Sequence, residues 1–151
     1  MTLSLTWLLL LNLASTLYMV GVILTVQLVH YPLMGQVGAE QFRAYHSAHT
    51  SQMSWVVLLP MIAELGTSGL LAFAPLPGVP RWLLWTGFAL AVLTWAATFF
   101  LSVPLHGKLS LGFDAEAHRF LVQTNWVRTV FWTAHGGITL EILRRLLAAV
   151  A

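Results

Sequence analysis

The chain contains six histidines, set against only 7 Lys+Arg and 5 Asp+Glu. Imidazole ligates Zn, Cu and Fe, moves protons near neutrality and responds to pH. Five of the six, His30, His46, His49, His106 and His118, lie close to the ends of apolar stretches. His46 and His49 are three residues apart and share one face of a helix, which makes them a chelating pair. His46 and His118 are the leading metal ligands in this reading, followed by His49, His30 and His106. Glu40, Asp114 and Glu116 lie in the same regions and are available as carboxylate partners. The thioether of Met34 suits copper or haem iron. Cysteine is absent, which excludes thiolate ligands, disulfides and thiol catalysis.

A second polar set lies inside the apolar stretches. Glu64, Arg128 and His135 are ionisable, and Asn125 stands three residues before Arg128. Ionisable groups within a bilayer are costly and face a partner or a cavity. Glu64 and His135 fall at nearly the same depth, so a hydrogen bond between them is expected, with a role in proton handling or in clasping helices. Asn12, Ser15 and Thr16 fall at a similar depth. Trp132 is a candidate wall for a planar cofactor, and the other tryptophans read mostly as interfacial anchors.

The elements that carry these residues are membrane helices. Charged residues make up 8% of the 151 residues, where a soluble domain carries about 25%. Apolar stretches cover about residues 3–29, 53–73, 82–103 and 121–143, and each reaches the roughly 20 residues needed to span a bilayer. The first reads as a span and not as a cleaved leader, since it lacks a basic start. The expected fold is all-α: one integral membrane domain over 1–151, a bundle of four transmembrane helices. Residues 74–80 form a Pro/Gly-rich turn. Asp114 reads as the N-cap of the last helix.

The chain also repeats at an offset of 72 residues. Pro32, Leu33 and Gly35 match Pro104, Leu105 and Gly107, and His46 matches His118. Two tandem helical hairpins related by a pseudo-two-fold axis along the membrane normal would explain this. Four spans gather the five histidines on one membrane face. Positive charge nearly balances across the two faces, and the closing pair Arg144-Arg145 favours cytoplasmic termini.

The string Gln123-Thr124-Asn125-Trp126-Val127-Arg128-Thr129 resembles the terminal helix of small four-helix bacterial membrane proteins related to anthrone oxygenase-like proteins. Pro60-Met61-Ile62-Ala63-Glu64 is similar to their second helix. The resemblance implies oxidative chemistry on hydrophobic substrates in a bacterial inner membrane, with Asn125 and Arg128 as site residues. The histidine set has no counterpart in that pattern.

The residues and the resemblance together lead to a His-rich redox protein. Its cofactor would be Fe, Cu or Zn, or haem, and its partners the bilayer and a lipophilic small molecule or quinone. The alternative is a non-catalytic membrane subunit, or a carrier of a small molecule or metal ion, which would need a homodimer. The net charge of +2 is too small and dispersed for nucleic acid.

Overall fold

A computed structural model describes residues 3–149. Four long helices account for nearly all of them: α1 Leu3–Met34, α2 Ala39–Phe73, α3 Arg81–Leu109 and α4 Ala115–Ala148. Among the described residues there is no strand. α1, α2 and α3 are long and apolar enough to cross a membrane, as an integral membrane protein requires. α4 falls short on hydropathy because it carries the inward polar residues Asn125, Arg128, Thr129 and His135.

The helices are longer than the apolar stretches. α2 has 35 residues, about 50 Å of helix against about 30 Å of hydrocarbon. The polar connections expected at 31–52 and 104–120 therefore shrink to a few residues around 35–38 and 110–114. Their remainder winds into helix ends, and this makes the histidines helical. Asp114 caps α4, its Oδ1 accepting from the N–H groups of Glu116 and Ala117 at 2.9 Å each. In the turn after α2, Gly78 takes a positive φ of 72° that an L side chain disfavours.

α1 and α3 each contain one π turn, Val26–His30 and Thr98–Ser102. Each starts 72 residues from the other and stands just before a proline, Pro32 or Pro104. Proline has no N–H and cannot satisfy the carbonyl four residues back. The ladder widens instead: the Tyr31 N–H reaches the Val26 carbonyl, and the Val103 N–H reaches that of Thr98. A π turn rotates everything beyond it around the helix axis. Gln27 and Ser102 within the π turns, and Tyr31 just beyond the first, are buried.

α1 packs on α2 and α4, and α3 packs on the same two helices. Three apolar layers fill the space between them. Val26, Met34, Phe42, Leu109 and Leu121 lie at the histidine end. Met19, Ile23, Met61 and Trp132 lie in the middle, and Leu71, Leu83, Leu84 and Ile142 at the far end. The outer surface is apolar too: Trp55, Leu59 and Phe100 are all more than 70% exposed. Apolar outside with polar groups buried is the arrangement that lipid stabilises.

The two repeat glycines differ in surroundings. A Cβ on Gly35 would lie 2.7 Å from His118 Cε1, whereas one on Gly107 would meet nothing within 4 Å. His118 is held there by its Nε2, 2.8 Å from the Tyr31 carbonyl. Gly35→Ala should therefore cost about 1–2 kcal/mol through loss of that hydrogen bond. Gly107→Ala should be neutral or stabilising by up to about 1 kcal/mol. Thermal unfolding of both variants in detergent checks the contrast; equal effects would refute the packing role of Gly35.

Candidate functional site

Three helix segments converge at one end of the molecule. The π turn and last turn of α1 bring His30 and Tyr31. The second and third turns of α2 bring Tyr45, His46 and His49. The end of α3 brings His106. His30 Nε2 lies 2.7 Å from His49 Nδ1, with the rings stacked at 4.3 Å. His46 Nε2 lies 3.0 Å from His106 Nδ1, and His106 Nε2 lies 3.0 Å from the Tyr31 hydroxyl. The Tyr45 hydroxyl is 3.5 Å from His30 Nε2. The His49 and His106 rings are 5.9 Å apart and join the two pairs into one cluster. Each N···N contact holds one proton between two rings, so the tautomers of the cluster are coupled.

His118 stands apart from the four. α4 begins 76 residues after α2, four more than the repeat offset. This extra turn seats His118 in the first turn of α4, where it meets the Tyr31 carbonyl and the Phe113 ring. The Tyr31 carbonyl is available there because the Gly35 N–H bonds to Leu33 instead. Met34 is fully buried in the apolar layer. Among the described residues no carboxylate pairs with any of the four clustered histidines. Asp114 is engaged as a cap, and Glu40 and Glu116 are exposed.

A half-open cavity of about 260 Å³ lies beside the cluster. Met19, Ile23 and Val57 form part of its apolar wall, and Tyr31, His49, His106, Ser102 and Arg128 its polar end. Spacing could not reveal Tyr31 or Ser102 as site residues. Their inward direction is set by the π turns, and the only sequence signal for those is the proline after each.

Deeper in, Glu64 is the centre of the second polar set. His135 Nδ1 lies 2.7 Å from its Oε1, and Trp132 Nε1 donates to its Oε2 at 2.7 Å. The expected Glu64–His135 contact is thus present, with both side chains at most 3% exposed. Trp132 also presents its ring face to the guanidinium of Arg128, 5.1 Å away. The indole therefore answers an anion with its N–H edge and a cation with its face. Arg128 Nη1 donates to Ser102 Oγ at 3.1 Å and to Asn125 Oδ1 at 3.2 Å. Asn125 in turn donates to Gln27 Oε1 at 2.8 Å, and Gln27 to the Val122 carbonyl. Gln27 was not legible as a site residue. On the far side of Glu64, Ser68 meets His135 at 3.4 Å, and Asn12 donates to Thr67 and Ser68 at 2.9 Å each.

No protein-family model, curated protein or solved structure matches the chain. The functional reading therefore rests on the site itself. Among the described residues no group of three or more His, Asp or Glu side chains is arranged to hold a metal ion. Two nitrogens on one tetrahedral ion at Zn–N lengths stand about 3.3–3.4 Å apart, whereas His46 Nε2 and His106 Nδ1 are 3.0 Å apart, at hydrogen-bond distance. His46 Nδ1 is buried without a partner.

The inner set gives a test of coupling. Glu64→Ala and His135→Ala should each cost about 3–5 kcal/mol, because each leaves a buried polar partner unanswered. The double variant should cost less than their sum by at least about 1 kcal/mol. Unfolding of the four proteins of this cycle by SDS in mixed micelles measures the coupling, and strict additivity would refute it.

Proposed function

We propose that the chain is an integral membrane protein whose four helices cross the bilayer as two hairpins related by a pseudo-two-fold axis. Its histidine cluster binds a transition metal for redox chemistry on a lipophilic substrate or quinone. The π turns 72 residues apart, each before a repeat proline, support the two-hairpin arrangement. The observation that carries the function is the gathering of four imidazoles from three helices beside an apolar cavity.

His46 and His106 would hold the ion, with His49 and His30 completing the donor set. Iron or copper would supply one-electron chemistry there, and neutral imidazole suits either. A porphyrin is larger than the inner cavity, so a bare ion fits better than haem. Tyr31 bonds to His106 and borders the cavity, so it is placed to orient that ring and to exchange a proton with a bound substrate. Glu64 and His135 hold one proton between them within the bilayer. The cytoplasmic placement of the termini follows from the arginine pair that closes α4 and puts the cluster on the outer face.

A second reading is supported by the same hydrogen bonds. The paired imidazoles already satisfy one another, as they would in a non-catalytic subunit whose histidines only lock helix ends. Elemental analysis and a visible spectrum of protein purified in mild detergent separate the two. Stoichiometric Fe or Cu without a Soret band is the expected result. Metal should fall by at least about tenfold in His46→Ala and stay near the wild-type level in His118→Ala. A folded His46→Ala protein with unchanged metal refutes the assignment, and wild-type protein without metal after attempted reconstitution favours the second reading.

A further inference from the structure

Arg128 is 7% exposed and borders the inner cavity. A guanidinium stays protonated in proteins, and an isolated one within a bilayer is costly. The chain has five side-chain carboxylates, all among the described residues, and none answers Arg128. Glu64 is engaged by His135 and Trp132, Glu141 by Arg144 and Arg145, and Asp114 by the first turn of α4. Glu40 and Glu116 are exposed on the surface. The partners Arg128 does have are neutral: Ser102, Asn125, the Trp132 ring and the nearby Tyr31 phenol. Its Nε is buried without any acceptor.

A second cavity, a surface groove of about 490 Å³ between α1 and α2, leads towards this charge. Leu17, Tyr18, Gly21 and Val56 line its outer part, and it shares Val22, Val26 and Met53 with the inner cavity. Its outer residues Leu17, Tyr18 and Val56 are exposed on the helix surface, which would face lipid in a membrane. A Cβ on Gly21 would meet nothing within 4 Å, so the glycine leaves the groove wide without being needed for packing.

We propose that the inner cavity receives a single-chain lipophilic acid, whose carboxylate pairs with Arg128 and which comes in from the bilayer through the groove between α1 and α2. A carboxylate supplies the missing counter-charge and accepts from the planar guanidinium with two oxygens. A neutral quinone or alcohol would leave the charge unanswered. The apolar wall of Met19, Ile23 and Val57 holds the proximal part of the chain. The volume of about 260 Å³ beside Arg128 suits the proximal part of one alkyl chain better than two side by side. This inference concerns the charge of the ligand and does not depend on the histidines binding metal. It also places the carbon chain next to His49 and His106.

The test is binding of radiolabelled dodecanoate and of dodecanol to the full protein in a non-ionic detergent, against protein-free micelles. Dodecanoate should bind saturably, one per chain, and at least about tenfold more tightly than the alcohol. Arg128→Gln should abolish that preference, and Arg128→Lys should keep part of it. Gly21→Phe should slow dodecanoate association severalfold while leaving the acid-over-alcohol preference intact. If Arg128→Gln does not fold, the acid-over-alcohol preference of the wild type and the Gly21→Phe rate still decide. Equal binding of acid and alcohol by the wild type overturns the proposal. So does undiminished acid binding by Arg128→Gln, or displacement of dodecanoate by phosphatidylglycerol. Loss of acid binding after chelator treatment overturns the Arg128 assignment in favour of metal ligation. Retained acid binding in a protein without metal upholds it while the metal reading fails.

Discussion

A carboxylate in the apolar interior must be answered from within the protein, and Glu64 is that carboxylate. Its two oxygens receive His135 and Trp132 from α4, so α2 and α4 are tied at mid-depth. The tie reaches the other helices through short steps. Trp132 stacks on Arg128, which bonds Ser102 of α3 and Asn125, and Asn125 reaches Gln27 of α1. In lipid, apolar side chains gain little by meeting one another, because lipid tails are as apolar as Leu. Polar partners and close packing therefore decide which faces meet. Rotating α4 by one residue, about 100°, would break each of these contacts at once.

The π turns are the second constraint. Each stands just before a proline, and each rotates the residues that follow it about the helix axis. The cost is a widened backbone ladder over one turn. The result is that Tyr31 and His106, both beyond a π turn, point at α2 and at each other. The chemistry-bearing end of the molecule is thus assembled by two local backbone irregularities, a common location for such turns.

Two of the clustered histidines, His49 and His106, share one cavity with Arg128, and this gives the site a direction. His49, His106 and the Tyr31 phenol lie at one wall with Arg128 nearby, and a groove between α1 and α2 adjoins it. On the proposed reading, such a site would order an amphiphile by its head and present a defined stretch of its chain to the imidazoles. Positioning of this kind is how a site converts binding into selectivity for one reacting atom.

Much of this was legible in sequence. Composition and four apolar stretches gave an all-helical, lipid-compatible chain, because hydropathy is a sum over local residues. Asp114 was legible as a cap, and Glu64 and His135 as partners, because depth follows from counting residues along a helix. The tertiary structure alone decided which histidines meet. His46 and His118 match in the repeat, yet α4 begins four residues later in the repeat than α2, so His118 falls in a first turn and meets the Tyr31 carbonyl while His46 meets His106. It also decided that Gln27, Tyr31 and Ser102 turn inward and that Arg128 has no carboxylate. Those outcomes depend on helix rotation and on a four-residue shift in where α4 begins, which packing sets and a local pattern does not record.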